Sequence, residues 1–165
     1  MLQENLIGLI EQAGVVGAGG AGFPTHVKLK AQADTVIING AECEPLLRVD
    51  QQLMARRAGE LLEALELLVE QVGAERGVVA LKEHYHEAME ALQKELPQHP
   101  KLSVHPLGAF YPAGDEQVIV YEVTGRVVPE GGIPLNVGVV VSNVETALNV
   151  LEAVRHQTPV VESYV

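Results

Sequence analysis

Thr35-Val36-Ile37-Ile38-Asn39 is an unbroken β-branched run that closes on Asn-Gly, and Gly40-Ala41-Glu42-Cys43-Glu44-Pro45 follows it as a loop. A strand apolar on both faces belongs in a parallel sheet covered by helices. Working outward, Gly77-Val-Val-Ala-Leu81, Leu102-Ser-Val104 and Val137 to Ser142 read as three further strands. Between them the period changes to 3.6. Asp50 to Val72 carries Leu53, Met54, Leu61, Leu62, Leu65, Leu68, Val69 and Val72 at helical spacing, with Asp50 as N-cap and Gly73 as stop. His84 to Leu96, Gly114 to Thr124 and Asn143 to Arg155 are the other helices, the first ended by Pro97. Upstream, residues 2–13 read as a short amphipathic helix and Gly14 to Thr25, with five glycines, as a loop. Such alternation predicts a three-layer, Rossmann-like α/β domain with a mainly parallel sheet of about four strands over residues 1–155. Residues 156–165 resume a strand-like pattern, expected to begin a further domain or a tail.

The composition narrows the function. Of the 165 residues 47% are hydrophobic, enough for a chain that buries roughly 70% of its unfolded surface. The net charge is −11, and the 11 basic residues are scattered, which argues against nucleic acid as a partner. One cysteine, Cys43, supplies neither an internal disulfide nor the four thiolates of an iron–sulfur cluster, so redox chemistry requires a borrowed cofactor. The first residues lack a basic n-region and carry Glu4 and Glu11, so they read as neither a signal peptide nor a spanning helix, and a reducing, cytoplasmic setting is expected. Six histidines show no ligand spacing, and no metal site is assigned.

Four motifs follow the strands or precede the first. Gly17, Gly19 and Gly22 satisfy G-x-G-x-x-G with Glu42 about 20 residues on, but a helix rather than a strand precedes them and Pro24 interrupts the turn. The run reads either as a bed on which a ligand lies against bare backbone, with Lys28 near a phosphate, or as a plain flexible loop. Asn39 either binds an imide such as a flavin ring edge or closes the turn before Gly40. Cys43, between two carboxylates, is a poor nucleophile. Asp115 and Glu116 either complement a helix dipole or accept hydrogen bonds from ribose and carboxamide groups. Ser142 and Asn143 either cap the last helix or face a ligand.

Taken in order, GAGGAGFPTHVKL, INGAECEP, YPAGDEQ and GVVVSNVETALNV resemble the flavin-binding domain of the 51-kDa NADH-binding subunit family of respiratory complex I. The nearer branch comprises the C subunit of Rnf electron-transport complexes and the cobalamin reductase of propanediol utilization. The resemblance runs from about Gly14 to Val150. It implies noncovalent FMN with NAD(H) stacked over it, hydride passing between the cofactors and no catalytic side chain. Position by position it assigns Gly17, Gly19, Gly20, Gly22 and Lys28 to the FMN cradle, and Asn39, Glu42 and Glu44 to flavin and pyridine nucleotide. Tyr111, Gly114, Asp115 and Glu116 match the third motif, Ser142, Asn143 and Thr146 the fourth, and Phe23 an aromatic against adenine. Glu42 and Glu116 are expected to position the nicotinamide, and the acids Glu42, Glu44, Asp115 and Glu116 to lie away from the flavin phosphate. The sequence departs from the complex I pattern at Ala31, Ala41, Asp115 and Ser142.

The resemblance also implies iron–sulfur clusters outside these residues. Electron-transport subunits, or a corrinoid or ferredoxin acceptor, are the expected partners, with attachment to the inner membrane face only through partner subunits. A homo-oligomer stays open. The competing expectation is a noncatalytic nucleotide-binding or assembly module that no longer holds flavin.

Overall fold

The computed structural model describes residues 33–41, 49–108 and 115–156. Within them four strands, β1 (Thr35–Asn39), β2 (Arg76–Lys82), β3 (Leu102–Leu107) and β4 (Val139–Asn143), form one sheet of order β3-β2-β1-β4, all parallel. The helices are α1 (Val49–Arg56), α2 (Ala58–Val72), α3 (His86–Glu95), α4 (Glu116–Thr124) and α5 (Val144–His156). The expected opening helix, glycine loop and segment after His156 lie outside the described residues.

Side-chain alternation divides the core in two. Val36 and Ile38 of β1, Val79 and Leu81 of β2 and Val140 of β4 meet α1, α2, α3 and α5 on one face. Ile37, Val78, Ala80, Val139 and Val141 meet Ile119 and Val120 of α4 on the other. Handedness explains the split. Crossovers β1-α2-β2 and β2-α3-β3 step the same way across the sheet and leave their helices on one face, whereas the step from β3 back past β1 to β4 carries α4 to the opposite face. The sheet is thus the middle of three layers. Gly77 lets α2 approach closely: a Cβ there would stand 2.8 Å from both Leu65 and Val69 side chains.

Several boundaries differ from the sequence reading. The long helix bends at Arg57 (φ −123°, ψ 37°), which separates α1 from α2, and Asp50 lies inside α1 rather than at its cap. The backbone ladder bridges the bend, Arg57 N–H donating to Leu53 C=O and Leu61 N–H to Arg57 C=O, both at 2.8 Å. The two halves serve different neighbours, α1 packing on α3 and α2 on α5. Gly73 ends α2 in the left-handed region (φ 70°), with Ala74 N–H returning to Val69 C=O at 2.9 Å.

Helix α3 begins at His86, not His84, because Tyr85 turns inward at 7% exposure with the His84 ring edge-on at 4.8 Å. Strand β3 continues to Leu107 through Pro106, which an edge strand tolerates. Pro134–Val137 is a short 3-10 turn, so β4 starts later, at Val139.

Candidate binding site

The order β3-β2-β1-β4 makes β1 the strand from which the chain departs in one direction and beside which it later returns in the other. The carboxyl ends of β1 and β4 therefore flank a topological switch point, where open α/β sheets form a crevice. Asn39 and Asn143 stand opposite each other in register there, about 5 Å apart by the spacing of neighbouring strands. By alternation both lie on the face of Ile37 and Val141, the face that α4 covers.

Each amide has a local task. Asn39 Oδ1 accepts the Ala41 N–H at 3.0 Å and closes the turn. Asn143 Oδ1 accepts the Thr146 N–H at 2.7 Å and caps α5. In both, the NH₂ group takes no part in the turn or cap, so a hydrogen-bond donor is what each can offer a ligand. Gly40, the residue after Asn39, has no room for a side chain: a Cβ would meet Met54 Sδ at 2.7 Å and Ala80 O at 3.0 Å.

Helix α4 brings the chain back from the carboxyl edge of β3 to the amino edge of β4, so its N-terminus lies at the carboxyl edge too. Asp115 caps it, one carboxylate oxygen accepting Gln117 N–H at 3.0 Å and Val118 N–H at 3.3 Å, and Glu116 opens its first turn. Ser142 and Thr146 are buried, and Ser142 falls on the opposite face with Val140. Of the residues singled out from the sequence, Asn39, Asp115, Glu116, Ser142, Asn143 and Thr146 are described, and all lie at this edge. Gly17, Gly19, Gly20, Gly22, Phe23, Lys28, Glu42, Glu44, Tyr111 and Gly114 lie outside the described residues, as do Ala31 and Cys43.

Two residues at the edge escape the sequence reading. Lys82, the last residue of β2, is only 5% exposed, and its Nζ lies 3.4 Å from the Gly108 carbonyl. Burial lowers its pKa. A strand ending at Leu81 would leave it in the loop; a lysine closing an apolar strand is the available signal. Glu145 lies in the first turn of α5, where burial raises its pKa despite the helix N-terminus that ordinarily favours the carboxylate. On the other face of the same edge, Gln51, Gln52, His84, His86, Glu87 and Ala88 line a cleft of about 380 Å³. Among the described residues no group of three His, Cys, Asp or Glu side chains is placed to hold a metal, and no helix is long and apolar enough to cross a membrane.

Comparison with known proteins identifies the family and the fold. The sequence model described as the Nuo51 FMN-binding domain matches residues 10–152. Cobalamin reductase PduS of Citrobacter freundii is 52% identical over 151 residues, covering 92% of this chain and 33% of its own length. A subunit of the Na⁺-translocating ferredoxin:NAD⁺ oxidoreductase complex of Acetobacterium woodii is 40% identical over 160 residues, covering 94% of this chain and 36% of its own. The chain thus spans about a third of these relatives. An NAD⁺-reducing [NiFe]-hydrogenase in the air-oxidized state contains a chain that superposes with a TM-score of 0.77 at 26% identity, over 93% of this chain and 30% of that one.

Proposed function

The chain belongs to the Nuo51 FMN-binding domain family, and from that premise we propose that it holds FMN noncovalently at the switch point of its sheet and serves a nicotinamide-linked electron-transport protein. The observation that carries the reading is the register pairing of Asn39 with Asn143 at the switch point, where this topology opens a crevice. The donor set suits the cofactor: two amides with NH₂ groups to offer and a helix N-terminus match a ring edge rich in acceptors and an anionic phosphate. When bound, FMN supplies the redox chemistry, accepting hydride and releasing electrons singly.

The chain's residues bind and orient. Gly17, Gly19, Gly20, Gly22 and Lys28 are assigned the phosphate, and Asn39 and Asn143 the ring and its substituents, with Ser142 and Thr146 supporting the floor. Glu42, Glu44, Tyr111, Gly114, Asp115 and Glu116 are assigned the nicotinamide and ribose end, away from the phosphate, and Phe23 the adenine. The relatives' names, a cobalamin reductase and a ferredoxin:NAD⁺ oxidoreductase component, support an oxidoreductase role in which electrons leave through a partner or another part of a longer protein. Iron–sulfur clusters belong to those other parts, and membrane association runs through partners.

The engagement of Asn39, Asp115 and Asn143 in turns and caps favours one other reading, a nucleotide-binding or assembly module without flavin. Reconstitution decides between them. The purified chain incubated with FMN and desalted is expected to stay yellow, and NADH added without oxygen to bleach it. Colourless protein selects the module, and a yellow protein that NADH never bleaches retains the flavin site but removes the nicotinamide reaction.

A further inference from the structure

We propose that Lys82 is a flavin-binding residue of this site and that its ammonium meets the carbonyl-bearing edge of the isoalloxazine ring rather than the phosphate. The inference rests on the flavin reading above and adds to it a contact that no motif suggested.

Three placements carry it. Lys82 closes β2 at the carboxyl edge of the sheet, one same-face position beyond Ala80, and Ala80 is the register partner of Asn39. Alternation from Val78 and Ala80 sets it on the α4 face, the face shared by Asn39 and Asn143. It is almost wholly withdrawn from solvent at the carboxyl edge of the sheet, within 3.4 Å of the Gly108 carbonyl. Lysine is among the residues least often buried, so its withdrawal from water at this edge is unusual. The desolvation that depresses its pKa is the same property that makes a charged hydrogen bond there strong.

The choice between ring and phosphate follows from neighbours. A dianionic phosphate is suited to many backbone N–H groups and a solvated cation, the equipment of a glycine loop. A buried ammonium on the same face and edge as the Asn39 amide instead matches a flat edge bearing carbonyl oxygens, where positive charge also steadies electron density arriving on the ring.

The test compares the full chain with its Lys82→Met variant, which keeps the length and apolar packing of the side chain. FMN and riboflavin, which lacks the phosphate, are each titrated by quenching of flavin fluorescence, and thermal melts without flavin check the fold. The variant is expected to melt no lower than the parent and to bind both flavins on the order of tenfold more weakly. Weakening confined to FMN moves Lys82 to the phosphate and overturns the ring contact. Unchanged affinity for both, with an intact fold, overturns any contact. A parent chain that binds neither flavin refutes the flavin reading itself, and that result is visible in the parent titrations alone. Should the Met variant melt low, Lys82→Leu, which likewise has neither charge nor donor, is titrated in its place at a temperature where its melt shows it folded and is judged by the same comparison.

Discussion

Asn143 does two jobs at one position. Its Oδ1 caps α5 through Thr146, and its place beside Asn39 puts the rest of the amide at the crevice. The jobs separate by substitution. Asn143→Ala is expected to lower stability by about 1 kcal/mol through the lost cap, whereas Asn143→Ser keeps most of the cap. Both are expected to weaken FMN binding alike, because neither retains the amide NH₂. Thermal melts with flavin titrations read the two effects, and parental affinity in the Ser variant would reduce Asn143 to a cap. Asn39 and Asn143 are legible as turn and cap residues because that chemistry is local, written in the residue and the next two or three, whereas Asp115 reads only as an acid at a helix start and proves to be its N-cap. Lys82 and Glu145 are not legible. Their shifted pKa values come from burial, and nothing in LKEH or NVET states it.

The bend at Arg57 shows what periodicity leaves open. The apolar positions from Leu53 to Val72 fit a straight helix and a bent one equally, and the bend follows from partners elsewhere. Arg57 reaches Glu60 at 2.9 Å and Glu152 of α5 at 2.7 Å, tying the start of α2 to a helix 95 residues away. The Arg57 hydrogen bond is also the first cause of the lowered Glu60 pKa. Arg155 adds a parallel link from α5 to Glu60 and Glu63. Arg57→Gln is expected to cost about 1 kcal/mol in urea unfolding, with a coupling of the same sign in a double-mutant cycle with Glu152→Gln. Strict additivity would leave the bend to packing alone. The strands are more legible, their apolar runs being short and bounded. β3 reads too short because Pro106 looks like a stop until the strand is known to lie at an edge.

At the scale of the whole molecule, helix–strand alternation predicts the three layers, but strand order depends on which strands meet and does not follow from the pattern. That order makes β1 and β2 interior and β3 and β4 outer among the described strands. Hydrogen exchange is expected to reflect it, with Ile37, Ile38 and Val79 amides opening only on global unfolding and Ser103 and His105 of β3 exchanging sooner. Uniform protection across the sheet would contradict this ranking. The same order has a temporal side. The first of these strands to leave the ribosome needs, as one of its two neighbours, the last. A nascent chain that has not yet synthesised Val139 can bring three strands and their helices together, but it has only one wall of the crevice. Long-range parallel pairing of this kind is slow, so the newborn protein gains its architecture before its capacity to hold a cofactor.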